Sequence, residues 1–188
     1  MLKKLGILLF ATLFLAGCGT ATKTPSAATD QTPVAANDLK TYTNTNQKFS
    51  ISYPEDWTVQ ANAAGVSFLS GQENTDDVFQ ENLGVNSQTL SADASSIPLS
   101  ELAQETGAAL KDQVQNLTQI SSTETKLGGH SAWENVYTIE QNGFKARLKQ
   151  YLLIEKNVAY TITFTAAEDA YASYEAVANK SIATFELK

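Results

Sequence analysis

A single cysteine, Cys18, leaves this 188-residue chain unable to close an internal disulfide, so its stability has to come from a packed core. The only histidine is His130, beside Gly128-Gly129. A Ser-His-Asp arrangement would have to use it, yet the chain contains no Gly-x-Ser-x-Gly elbow, and His130 reads as a strand-entry residue. Cys-x-x-Cys is missing as well, as is a glycine-rich phosphate loop ahead of a helix. The longest apolar run, Leu5 to Ala16, has about twelve residues where a membrane-spanning helix needs roughly 20. Basic residues are scarce too: 13 lysines and arginines stand against 20 aspartates and glutamates. Such an acidic chain is a poor partner for nucleic acid or an anionic membrane surface.

What is present begins with an export signal. Lys3 and Lys4 form a positive start, Leu5 to Ala16 the apolar stretch, and small residues precede Cys18. Leu15-Ala16-Gly17-Cys18 resembles the bacterial lipobox. That resemblance implies a diacylglycerol on the Cys18 thiol and cleavage just before it, making residues 1–17 a removable signal. Two or more acyl chains hold a protein on a membrane stably, whereas one does so only reversibly. Loss of Lys3 and Lys4 leaves 11 basic and 20 acidic side chains, a net charge of −9. From the lipidated cysteine to Asp38 the chain is Thr, Ala, Pro, Ser, Gln and Asp without apolar periodicity, a flexible linker. About 20 such residues have a mean reach of roughly 25 Å, enough to hold a domain clear of the bilayer.

Residues 39–188 carry the pattern of one globular domain. Phe49-Ser50-Ile51-Ser52-Tyr53 alternates as a half-buried strand stopped by Pro54, and Trp57 after the turn is a core anchor. Two more strands, Ala64 to Leu69 and Asn82 to Leu90, flank a polar acidic loop. Leu99, Leu102, Thr106, Leu110, Val114 and Leu117 form the stripe of an amphipathic helix started at Pro98 or Ser100. Thr118 to Leu127 is β-type, and Gly128-Gly129 breaks it.

Asn142-Gly143 is a strong two-residue hairpin signal, because both residues tolerate φ > 0. It sets Ile139 opposite Ala146, Tyr137 opposite Leu148 and Trp133 opposite Leu152 on one face, read as the core face. On the other face Glu140 meets Lys145, Thr138 meets Arg147, and Lys149 lies diagonal to Glu134. Lys145, Arg147 and Lys149 thus form a basic ridge that either binds an anion or acidic partner or is a solvated face of cross-strand pairs. Tyr151 to Ile154 is apolar on both faces, which requires cover on both. Val158, Tyr160, Ile162 and Phe164 alternate in a last strand, but the turn at Lys156-Asn157 leaves two registers one residue apart. Thr165 and Glu168 have the spacing of a capping box, followed by a helical stripe of Tyr171, Tyr174, Ala178, Ile182 and Phe185.

Tyr42, Phe49 to Trp57, the mid-chain helix, Leu127-Gly128-Gly129, and Ala159-Tyr160-Thr161-Ile162-Thr163-Phe164 before a closing helix together resemble the PsbP-like family. The resemblance implies an α+β fold, an α/β/α sandwich around a central antiparallel sheet flanked by helices. Members include extrinsic subunits of photosystem II, a binder of the Ran GTPase, and bacterial lipoproteins. Trp57 here runs into Thr58-Val59, not a charged continuation, which sets the chain apart from the photosynthetic members. The expectation is a non-catalytic lipoprotein on the extracytoplasmic side of a bacterial membrane, held by the lipid on Cys18 and binding or stabilising an envelope protein.

The alternative is a ligand- or metal-binding lipoprotein that uses the acidic loop or a pocket between sheet and helix. Glu73, Asp76, Asp77 and Glu81 bunch in that loop, and carboxylates suit Ca²⁺ or Mn²⁺. The Asp-x-Asp-x-Asp-Gly spacing that aims ligands at one centre is missing, so the loop reads as solvated and no cofactor is expected.

Overall fold

The two registers left open at Lys156-Asn157 are separated by the backbone itself. Both residues have left-handed dihedrals, φ 47° and 64°, and make a two-residue turn in a computed structural model of the chain. The structure describes residues 38–72, 77, 79–91, 97–141 and 143–188. The expected signal and Cys18, the linker up to residue 37, and Glu73, Asp76 and Asn142 lie outside the described residues.

In chain order the elements are β1 (Leu39–Asn44), β2 (Phe49–Pro54), β3 (Thr58–Ala61), β4 (Gly65–Leu69), β5 (Asn82–Thr89), α1 (Leu99–Gln113), β6 (Leu117–Leu127), β7 (His130–Gln141), β8 (Phe144–Glu155), β9 (Val158–Ala167), α2 (Tyr171–Ile182) and β10 (Glu186–Leu187). Strands β3-β4-β5-β9-β8-β7-β6 form an antiparallel sheet of seven, and β1-β2-β10 a sheet of three. The α+β sandwich is thus present, with α1 on one face of the large sheet and α2 with the small sheet on the other. No helix among the described residues is long and apolar enough to cross a membrane.

The β7–β8 register is as the hairpin pattern required: Ile139 pairs Ala146, Tyr137 pairs Leu148, and Trp133 pairs Leu152. That face is not the main core, however. The larger core lies on the opposite face, where Ala132 and Leu153 join Val85, Tyr160, Ile162 and Phe164 beneath α2 and β2. The turn at Lys156 and Asn157 decides this, because pairing Glu155 with Val158 places Tyr160 opposite Leu153. Trp57 is buried in the same core with its ring 6.3 Å from that of Tyr174. Tyr53 stacks on Phe68 at 4.5 Å, and Phe49 on Phe185 at 6.0 Å.

Three local expectations are corrected. The stripe of α1 ends at Gln113; Val114 is already extended and Leu117 opens β6 after a left-handed Asn116. Thr165 and Glu168 are no capping box, since Thr165 lies inside β9 paired to Leu148, and α2 starts after Ala170 without a side-chain cap. The long β8 supplies partners for β9 as far as Ala167, and the ladder outlasts the local helix signal. Phe185 lies past the end of α2 but is buried all the same. At Gly128 the φ of 57° and the carbonyl of Phe185, 2.6 Å from where a Cβ would stand, both demand glycine.

Trp57→Ala should lower unfolding free energy by about 3–5 kcal/mol in a denaturant titration. Gly65→Ala would place a Cβ 1.9 Å from the backbone oxygen of Val85, whereas one at Gly84 meets nothing closer than 3.8 Å. The former should cost at least about 2 kcal/mol and the latter well under that. Equal costs would show that β4 and β5 do not approach as described.

Candidate functional site

The three cations of the basic ridge on β8 have different surroundings. Lys145 stays at the surface and pairs with Glu140 at 3.5 Å, the expected cross-strand contact. Arg147 stands opposite Thr138, yet its guanidinium turns to Glu168, with Nε donating to Oε2 at 3.2 Å and Nη2 to Oε1, while Cζ lies 4.8 Å from the centre of the Tyr171 ring. Lys149 does not reach Glu134. Its Nζ donates to Glu175 Oε1 at 2.7 Å and to Asn179 Oδ1 at 3.2 Å, and its side chain is only 12% exposed. Two of the three cations therefore hold α2 to the sheet, and neither a solvated face nor an open anion site describes them. The Glu134 carboxylate instead bonds Tyr151, and burial with this bond raises the Tyr151 phenol above its ordinary range.

His130 Nδ1 lies 3.4 Å from Glu155 Oε2, a surface pair at the strand entry. In the acidic loop, Asp77 Oδ1 accepts from the Phe79 amide at 3.1 Å. Glu81 is buried and works as a clamp, accepting from the Ala167 amide and the Ser70 hydroxyl, each at 3.3 Å. The two loop carboxylates that are described thus serve different local bonds. Among the described residues no three His, Cys, Asp or Glu side chains gather to hold a metal ion.

The feature that charge and motif did not single out lies on the α1 face. Register aligns Gln60, Ser67, Gly84, Thr163, Gln150 and Asn135 in one row across six strands, and Ser122 continues it onto β6. From β3 to β9, and on through β8 and β7, every side chain on this face is uncharged. α1 covers the β6–β8 end through two separate apolar clusters. Leu102 and Ala103 pack with Leu152 and Trp133 near one end, and Leu110 with Tyr137, Ile139 and Leu148 near the other. Between them the contact is polar. Gly107 sits where an added Cβ would stand 2.9 Å from the Tyr137 hydroxyl, and Thr106 beside it is buried.

Five buried side-chain polar atoms of the described residues lack a hydrogen-bond partner, and four belong to this seam: Thr106 Oγ1, Asn135 Nδ2, Tyr137 OH and Gln150 Oε1. Their residues' other polar atoms are partly used, with Gln119 Nε2 donating to Asn135 Oδ1 at 3.3 Å and Gln150 Nε2 to Thr163 Oγ1 at 3.4 Å. An unpaired buried polar group costs about 1–3 kcal/mol, so a seam of four is expensive to leave bare. The hairpin register already implied that Asn135 and Gln150 face each other within an otherwise apolar set. That α1 would seal them could not be read along the chain.

A family model described as PsbP-like protein matches residues 16–186. No curated protein matches. The solution structure of cyanobacterial PsbP (CyanoP) from Synechocystis sp. PCC 6803 is similar with a TM-score of 0.60 and 15% identity, over 93% of this chain and 99% of that one. The crystal structure of LpqN, described as involved in cell envelope biogenesis of Mycobacterium tuberculosis, gives 0.55 and 14% over 80% and 91%. Protein PA94 from Pseudomonas aeruginosa gives 0.56 and 13% over 78% and 94%. At these identities the likeness is one of fold.

Glu175→Ala leaves the Lys149 ammonium nearly buried with Asn179 as its remaining partner, and should destabilise by about 2 kcal/mol, while Lys145→Ala stays within about 0.5 kcal/mol. Similar losses in chemical denaturation would refute the different roles given to the two lysines. A second outcome concerns alkali. Burial pushes the Tyr137 phenol up to about 12, so its neutral form is favoured by folding. Its contribution is complete below about pH 10 and is lost as pH climbs toward about 12. Tyr137→Phe should keep neutral-pH stability and flatten that alkaline fall in a melting series; an unchanged slope would assign it to other groups.

Proposed function

The chain belongs to the PsbP-like protein family, and on that premise we propose that it is a non-catalytic lipoprotein, anchored through Cys18 on the extracytoplasmic side of a bacterial membrane, that binds or stabilises an envelope protein. The observation that carries the reading is Leu15-Ala16-Gly17-Cys18 at the end of a positively started apolar run. A signal of this form sends the domain across the membrane, and a lipid on the thiol keeps it at the surface. Family membership adds a fold that supports binding subunits, though fold alone does not give function. The neighbour LpqN is described as involved in cell envelope biogenesis, which accords with an envelope location.

The absence of catalysis is part of the same proposal. His130 is engaged with Glu155, and the described carboxylates of the acidic loop are engaged with amides and a hydroxyl, so neither supplies a free general base. Two of the three ridge cations are occupied by α2 and the turn that leads into it, which moves the partner surface away from that ridge.

Cross-linking in the native cell, with an affinity tag after Lys188, tests the reading by comparing the native chain with Cys18→Ala. The expected result is incorporation of a fatty-acid probe that is lost in the variant, together with one recurrent envelope protein captured only from anchored chain. Normal anchoring and abundance without any enriched protein would overturn the partner; absence of the lipid label would overturn the anchor.

A further inference from the structure

The uncharged row across the α1 face has the composition of a binding site and not of a stability device. A sheet face serving only to pack α1 would be apolar between Leu102 and Leu110, because buried polar groups without partners cost free energy. Here the middle of that interface instead carries two carboxamides and two hydroxyls, each with an unused hydrogen-bonding atom. Asn135 and Gln150 are 1% and 2% exposed and stand opposite each other, one with a free donor and the other with a free acceptor.

The row does not end beneath the helix. Beyond Gln150 it runs to Thr163, Gly84 and Ser67, where Thr163 and Ser67 are half-buried, while α1 lies chiefly over β6, β7 and β8 and reaches β9 at Ala159. The nearest atoms to a Cβ built on Gly84 are Ser67 Oγ and the carbonyls of Val66 and Thr163, at 3.8 to 4.0 Å. All three belong to neighbouring strands, so among the described residues these strands are what stands nearest to Gly84. The row is thus partly exposed at Ser67 and Thr163, buried at Gly84 and closed under α1 at Gln150 and Asn135.

We propose that this row binds a neutral oligosaccharide, whose hydroxyls complete the hydrogen bonds left open at its closed end. Neutrality follows from the floor, which offers no charged side chain at neutral pH to a charged ligand on β3, β4, β5, β9, β8 or β7. A hydroxyl follows from the adjacent free donor and free acceptor, since one hydroxyl both gives and accepts where a carbonyl only accepts. A site built from such groups discriminates strongly, because a ligand lacking the hydroxyl leaves them unpaired. From Ser67 to Gln150 is three strand spacings, about 14 Å, which suits linked rings better than a single one. Access to the closed end requires α1 to lift at Thr106, and its two small apolar anchors, separate from the main core, let it do so without exposing that core.

This goes beyond the partner-binding reading and is read out independently of it. The experiment titrates the ¹⁵N-labelled protein with maltotriose and with the N-acetylglucosamine trimer, following the side-chain amide signals of Asn135 and Gln150, with glucose as the single-ring control. At least one trisaccharide should give saturable shifts of both signals at millimolar concentration, more than tenfold weaker binding for glucose, and loss of binding in Gly84→Leu. Gln150→Met, nearly isosteric, should lose binding while keeping or raising the melting temperature, which separates a binding role from a structural one. Signals that do not move with either trisaccharide would overturn the proposal and leave a hydrated seam. Saturable shifts that survive in both variants would overturn it too, by placing the sugar elsewhere.

Discussion

The pairing of β8 with β9 through the turn at Lys156 and Asn157 is the constraint on which the molecule depends. β9 is the middle strand of seven and carries buried side chains on both faces. With Glu155 opposite Val158, the row Tyr160, Ile162, Phe164 and Ala166 enters the main core, and Thr161, Thr163 and Thr165 take the other face. A slip of one residue would exchange the two sets, burying threonines in the aromatic core and placing aromatics over the polar row. Two consecutive non-glycine residues at positive φ are accepted here because that register repays their strain.

From this register follows an unequal sandwich. One face carries a continuous aromatic and aliphatic core that joins both sheets and α2, and it supplies the greater part of the burial. The other face carries two small clusters and a polar interval under α1. Stability and binding capacity are thereby separated onto opposite faces of one sheet. The helix over the polar face is the one whose displacement costs least, since its anchors do not belong to the main core. Gly107, unfavourable within a helix, lets α1 come down onto the Tyr137 hydroxyl.

Charge is spent differently from what its pattern suggests. Arg147 and Lys149 alternate along β8 like residues of a wet strand, but the turn before α2 brings Glu168, and α2 itself Glu175 and Asn179, within reach. The Tyr171 ring under the Arg147 guanidinium adds a cation–π contact to that join. The ridge is consequently a fastening for the helix. Glu81 has a similar part close by, tying the loop after β4 to the end of β9.

Much of this was legible along the chain because it rests on local rules. Alternation at Phe49 to Tyr53, the stripe from Leu99 to Leu110, and the β7–β8 register set by Asn142-Gly143 each depend on neighbours in sequence, and the structure keeps all three. The export signal and the lipobox-like stretch are likewise short-range patterns. What needed the tertiary structure was every choice between faces. Strand alternation marks two sides without saying what covers each, so the Tyr137 and Ile139 face was rightly read as a core face while the larger core beneath α2 went unseen, and Arg147 and Lys149 were read without the acids, 21 and 26 residues away, that α2 and the turn before it supply. The capping-box pattern at Thr165 failed because a ladder with β8 outweighs a local helix start. The polar row was invisible for the same reason: its members are far apart in sequence, and only the pairing of seven strands sets them side by side.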